Sequence, residues 1–121
     1  MAKSILVVDD SETIREAVSF TLENAQYQVQ KAVDGEDALQ ILEKGQFQLV
    51  ITDLHMPRLD GIGLIKAIRA KPEHQFTPIL FLTTESQASR KEEARAAGAT
   101  GWIVKPFVPE KLVGVVQKLI R

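Results

Sequence analysis

Residues able to do chemistry stand at the ends of apolar runs in this chain. Asp9 and Asp10 follow "ILVV", Asp53 follows "LVIT", Thr83 and Thr84 follow "ILFL", and Lys105 follows "GWIV". Carboxylates brought together repel: at ~5 Å and an effective dielectric of ~20, each pair costs roughly 3 kcal/mol. A place where Asp9, Asp10 and Asp53 meet therefore calls for a cation. Hard oxygen donors, with waters in the remaining positions, suit Mg2+, which prefers a few carboxylates plus a phosphate oxygen to an all-protein cage. The Lys105 ammonium and the Thr83 hydroxyl complete a site for phosphoryl oxygens. Asp can itself be the nucleophile in such a site and become an aspartyl phosphate.

The same runs are the elements that must position these residues. Five apolar stretches recur, "SILVV", "QVQKAV", "QLVIT", "PILFLT" and "GWIVK", with helical periodicity between them. Ile14, Ala17, Val18, Thr21, Leu22 and Ala25 form one amphipathic stripe, and further helices are predicted over 36–44, 62–70, 87–97 and 110–120. Asp34-Gly35 and Asp60-Gly61 are turn signals before helices, and Gly98 stands where a helix end takes a left-handed residue. Pro57, Pro78 and Pro106 fall at or near strand ends, where a missing N–H does little harm. Strict alternation of strand and helix predicts a parallel sheet covered on both faces, an α/β doubly wound (βα)5 sandwich. Sites in such sheets form beyond the carboxyl ends of the strands, where Asp9, Asp10, Asp53, Thr83 and Lys105 all fall.

The chain has 121 residues, a formal net charge of −1 with acids and bases interspersed, 45% hydrophobic residues and no cysteine. One domain spanning residues 1–121 is expected, with enough apolar content to exclude a disordered chain. Disulfides, thiolate zinc sites and thiol nucleophiles are excluded, and nothing in the charge pattern points to nucleic acid. The first apolar run is far too short for a signal-peptide core or a bilayer span. A cytoplasmic protein with no membrane insertion is the expectation.

Taken singly, each polar residue has a plainer role. Asp9-Asp10 can cap a helix, with Asp10 or Ser11 at the N-cap, and Asp53 can be a turn residue before Pro57. Lys105 alone reads as a solvated charge, and Thr83 as ordinary strand chemistry. Four strand ends carrying the right residue types in the right order are harder to dismiss.

Architecture and residues together resemble the receiver domain of two-component response regulators, over essentially the whole chain. Within that family, "VSFTLENAQYQVQKAVDGEDAL" and "AAGATGWIVKPF" look most like the stand-alone, CheY-like chemotaxis branch. The resemblance implies the flavodoxin-like strand order 2-1-3-4-5. It implies that Asp53 is the phosphoacceptor for a CheA-like histidine kinase. Asp9, Asp10, Asp53 and the backbone carbonyl of His55 would hold Mg2+, Thr83 and Lys105 would meet the phosphoryl group, and the Lys105–Pro106 bond would be cis. Such a protein is not an enzyme in the ordinary sense, since it catalyses only its own phosphorylation and slow autodephosphorylation. The implied partners are a flagellar motor switch protein or another phosphorylation-dependent protein, with a phosphatase to reset the signal, acting on a monomer. A phosphate sink or a relay intermediate would share this chemistry.

Phosphorylation adds about two negative charges at one point. The expected consequence is a population shift: Thr83 is drawn inward and Trp102 turns from an exposed to a buried rotamer. That would alter the face built from 85–97, 101–104 and 110–120. The family's usual switch residue is Tyr or Phe, so Trp102 is a departure, and its plainer role is that of a half-buried strand aromatic. His55 and Glu85, two residues after Asp53 and Thr83, are expected to border the phosphoryl group and set its lifetime. Three rivals fit less well. A haloacid-dehalogenase-type phosphatase wants a second Asp two residues after the nucleophile, and position 55 is His. A flavodoxin-like cofactor module wants a phosphate loop where "DDSET" puts two acids. A transcription factor wants a helix-turn-helix segment or a basic patch, which these 121 residues do not offer.

Overall fold

Strands and helices alternate along residues 3–120, which the computed structural model describes. The elements are β1 (Ser4–Val8), α1 (Glu12–Asn24), β2 (Gln28–Ala32), α2 (Gly35–Lys44), β3 (Leu49–Thr52), α3 (Gly61–Arg69), β4 (Ile79–Thr83), α4 (Ala88–Ala97), β5 (Gly101–Val104) and α5 (Pro109–Leu119), with a short 3-10 turn at Pro72–His74. All strand pairings are parallel, and the order across the sheet is β2-β1-β3-β4-β5. Doubly wound architecture and strand order are both as expected.

Side-chain alternation sorts the core into two layers. From β1, Ile5 and Val7 pack with Val18 and Leu22 of α1 and Leu112 and Val116 of α5. Leu6 and Val8 point the other way, onto Ile62, Ile65 and Ile68 of α3 and Ala94 of α4. Each such aliphatic side chain, once fully buried, contributes about 1.5–3 kcal/mol. Burial on both faces holds for β1, β3 and β4 but not for the edge strands. Gln28, Gln30 and Lys31 of β2 are exposed, and β5 is only half-buried. The α1 stripe is also narrower than predicted: Ala17 faces solvent, while Ile14, Val18 and Leu22, four residues apart, carry the packing.

Helix ends follow the residues that can satisfy them. Ser11, Asp34 and Asp60 accept hydrogen bonds from the N–H groups of Ile14, Asp37 and Gly63, capping α1, α2 and α3. Helix α4 closes on Gly98 at φ 116°, a backbone conformation that a Cβ would strain. Beneath it, the Arg69 guanidinium donates to the carbonyls of His74, Thr77 and Gly98 at 3.0, 2.7 and 2.8 Å. Arg69 thereby ties the end of α3 to the loops that start β4 and β5. Among the described residues, no helix is long and apolar enough to cross a membrane.

Candidate functional site

Strands β1 and β3 pair directly, with Val8 opposite Thr52, so the residues that follow them emerge side by side. Asp9, Asp10 and Asp53 each bring a carboxylate oxygen to within 4.8 Å of the others. Asp9 and Asp53 are buried, whereas Asp10 is exposed at the rim. Strand β5 supplies the counter-charge. Lys105, one residue beyond β5, reaches across the sheet end to donate to Asp9 Oδ2 at 2.9 Å and Asp53 Oδ2 at 3.1 Å, with its side chain only 10% exposed. The Lys105–Pro106 bond is cis.

The backbone holds the carboxylates from behind. Asp53 Oδ1 accepts from the N–H of Leu54 at 2.7 Å and of His55 at 3.4 Å, which leaves Oδ2 as the oxygen facing Lys105. Asp9 Oδ1 accepts from the Ser11 N–H, and Ser11 in turn caps α1. The cap of α1 is Ser11 and not Asp10, and Asp9 fixes that cap through one oxygen while its other oxygen faces Lys105. Gly61 lets α3 start against the end of β3: a Cβ there would lie 2.5 Å from the Asp53 carbonyl oxygen and 2.4 Å from the Phe81 ring.

Charge does not balance in this cleft, where three carboxylates face one ammonium. Burial pushes the Asp9 carboxyl above its ordinary value, although Lys105 and the Ser11 N–H pull it down. Burial alone would lower Lys105, but its hydrogen bonds to Asp9 and Asp53 outweigh that and hold its ammonium above the usual lysine value. An added cation would relieve the excess. Oxygen donors at about 2.1 Å from an ion lie at most about 4.2 Å apart. A triad already within 4.8 Å is one small side-chain adjustment from direct or water-mediated coordination. All donors are hard oxygens, so the set fits Mg2+.

The remaining predicted residues fall around this cleft, with corrections. Thr83 is fully buried and its Oγ1 accepts from the Glu85 N–H at 3.2 Å, so its hydroxyl oxygen is engaged with its own loop. His55 and Glu85 pair with each other: His55 Nε2 lies 3.0 Å from Glu85 Oε1, and the two bridge the loops after β3 and β4. Glu85 also accepts from the Gln87 N–H, and that bond, with His55, lowers its carboxyl. Trp102 is half-buried, as the plainer of its two readings has it. Its indole N–H donates to the Glu85 carbonyl at 3.1 Å, and its ring packs on Phe81 with centroids 5.3 Å apart. Two residues escaped the sequence reading. Arg15 donates to the Asp9 carbonyl at 2.7 Å, and Arg58, in the loop after β3, pairs with the buried Asp34. Neither carries a local signal, because each finds its partner only after folding.

The model of the response regulator receiver domain matches residues 5–117. The chain belongs to that family. This receiver is 42% identical over 118 residues to the chemotaxis protein CheY-3 of Vibrio cholerae, covering 97% of this chain and 91% of that one. Its structure is similar to that of CheY4 of Vibrio cholerae, with a TM-score of 0.95 at 45% identity over 98% of this chain and 99% of that one. It is also similar to the receiver domain of the Pseudomonas aeruginosa sensor histidine kinase PA1611, solved with a magnesium ion coordinated in its active-site cleft. There the TM-score is 0.91 at 27% identity, over 99% of this receiver and 98% of the other.

Proposed function

We propose that this receiver takes a phosphoryl group from a histidine kinase onto Asp53 and, so modified, binds a protein partner through the face around β4 and β5. The observation that carries the reading is the Lys105 ammonium bonded to Asp9 Oδ2 and Asp53 Oδ2 at once, in a cleft with an excess of carboxylate. Asp53 Oδ1 is held by backbone N–H groups, so Oδ2 is the nucleophile. Its bond to phosphorus forms as the phosphohistidine P–N bond breaks, and the imidazole nitrogen leaves with the electron pair. Lys105 then turns from the Asp53 carboxylate to the phosphoryl oxygens and neutralises part of their charge. The buried Thr83 side chain moves inward to donate its O–H to another of those oxygens, and that movement, not the donation itself, breaks the bond its oxygen accepts from the Glu85 N–H. Asp9, Asp10, Asp53 and the His55 carbonyl would hold Mg2+, which supplies the charge stabilisation that one lysine cannot.

Release of Thr83 from Glu85 loosens the loop whose carbonyl anchors Trp102, so the aromatic and its face respond together. Likeness to two chemotaxis proteins supports a flagellar motor switch protein as the partner and a CheA-like kinase as the donor. Likeness to the receiver of a sensor histidine kinase supports a second reading, a relay intermediate that passes the group on. His55 and Glu85, paired over the loops beside Asp53, limit the access of water and so govern how long the acyl phosphate lasts.

The test uses Mg2+ and a small-molecule phosphodonor. We expect a mass gain of one phosphoryl group that Asp53→Asn abolishes; a gain that survives this substitution overturns the assignment. Capture of a flagellar motor switch protein in a pull-down by the phosphorylated receiver and not by the unmodified one favours the motor reading, whereas loss of the group to a histidine phosphotransfer protein favours the relay.

A further inference from the structure

The loop after β3 is a closed unit tied to its surroundings at two points, by His55 to Glu85 and, at its tip, by Arg58 to the start of α2. Residues 53–61 leave and re-enter the sheet end through the Gly61 N–H, which donates to the Leu54 carbonyl at 2.8 Å, and a tight turn from the Leu59 N–H to the Pro57 carbonyl at 2.7 Å. At the tip, Arg58 takes φ 67°, a left-handed conformation that a non-glycine side chain adopts only when its surroundings over-determine it. The surroundings here are the start of the neighbouring helix α2. The Arg58 guanidinium pairs with Asp34 through one nitrogen and, through Nε, with Glu36 Oε1 at 3.2 Å. Leu59 closes the same seam so tightly that a Cβ on Gly35 would lie 2.8 Å from its carbonyl oxygen.

The pairing is lopsided in a way that matters. The Asp34 side chain is 6% exposed and Arg58 59% exposed, so the carboxylate is the anchored member and the arginine reaches in from solvent. Asp34 Oδ1 is already fixed by the Asp37 N–H as the cap of α2. The anchor is therefore bolted to a helix, and what it restrains is the loop. That loop carries Leu54 and His55, whose N–H groups orient Asp53 Oδ1. It also carries the His55 carbonyl.

We propose that Arg58 is a positioning residue of the metal and phosphoacceptor site, acting through Asp34 to hold the loop 54–60 in its coordinating conformation. The inference deepens the reading given above and rests on it. Arg58 touches neither the ion nor the phosphoryl group. It sets where the His55 carbonyl and the Asp53 carboxylate stand, and loss of a group that orients metal ligands typically costs about 10–100-fold in metal affinity.

The test measures Mg2+ binding by titration calorimetry on the parent, Arg58→Ala, Asp34→Asn and the double variant, with the thermal midpoint of each and amide exchange at 54–60. Asn also caps helices, so Asp34→Asn removes the charge partner while keeping α2 closed. We expect either single change to weaken Mg2+ binding by about tenfold, the lower end for outer partners of ligands. The double variant should be no worse than either single, because both remove one interaction. Exchange at 54–60 should quicken while the strands stay protected. If Arg58→Ala does not fold, Asp34→Asn alone carries the test. Parent-like Mg2+ affinity in the folded variants, or independent losses that multiply in the double, overturns the positioning role and leaves the phosphoacceptor reading standing. A parent that binds no Mg2+ overturns both.

Discussion

Lys105 and Arg69 stand at opposite ends of the same parallel sheet, each the cation around which a cluster of loops is folded. Lys105 faces carboxylates and is outnumbered; Arg69 faces three carbonyl oxygens and satisfies them. Hydrogen bonds to acids hold the Lys105 ammonium above its ordinary value, while burial with no acid beside it lowers Arg69. At the carbonyl end each of the three acceptors is paired with the guanidinium and no carboxylate is in excess. The carboxylate end is frustrated, and frustration of that kind is where a ligand or a modification can act.

The sharpest way to break this contrast is to remove each cation. Lys105→Ala should leave the strands intact but slow phosphoryl incorporation by about a hundredfold or more, as loss of a charge-stabilising donor does. Arg69→Ala should leave that rate in the folded protein unchanged and lower stability by roughly 2–3 kcal/mol, from three carbonyls at about 1 kcal/mol each. Rates from mass spectrometry and midpoints from urea unfolding check the pair. If Arg69→Ala slowed phosphorylation as Lys105→Ala does, the two ends would not be separate in function.

Removing an acid from the crowded end should do what removing a polar group seldom does. Asp10 is exposed at the rim and lies within 4.8 Å of two other carboxylates. Asp10→Asn should therefore raise metal-free stability by about 1 kcal/mol, a value discounted for solvent screening. It should also shrink the stabilisation that added Mg2+ brings. Thermal midpoints with and without Mg2+ read both effects, and a drop in the metal-free midpoint would contradict the claim of repulsion.

Much of this contrast was legible before folding, but unevenly. The runs ending in Asp9, Asp53, Thr83 and Lys105 mark strand ends because continuous branched residues want both faces buried, and β1, β3 and β4 oblige. The edges β2 and β5 are mixed because their outer sides have no strand to cover them. Strand order came with the family likeness, not with periodicity, since any order satisfies alternation. What could not be read is pairing at a distance. Arg58 meets Asp34 across 24 positions, Arg69 meets Gly98 across 29, and His55 meets Glu85 across 30. Charged residues in loops look alike until a sheet brings two loops together. The His55–Glu85 bridge and the Trp102 anchor on the Glu85 carbonyl belong to the same class.

The smallest expected effect separates two buried aspartates one strand apart. Asp9 is pushed up by burial in the crowded cleft, whereas Asp34 is held below the ordinary value of 3.8 by the Asp37 N–H first and Arg58 second. A carboxyl lowered on folding stabilises the fold only while it is ionised. Its contribution is complete above the unfolded pKa and drains as pH falls from there through the lowered folded value. The parent should thus lose stability on acidification below about pH 4 partly through Asp34. Asp34→Asn should be less stable than the parent at pH 7 and show a shallower acid slope, the two curves converging as Asp34 protonates. Glu36 and Asp37 also face Arg58 or the start of α2, so Glu36→Gln serves as the control: its exposed pair should leave the slope unchanged. Parallel curves for parent and Asp34→Asn down to the lowest pH would mean that the Arg58 strap exerts no pull on the Asp34 proton, and that α2 is capped as well by a neutral side chain as by a charged one.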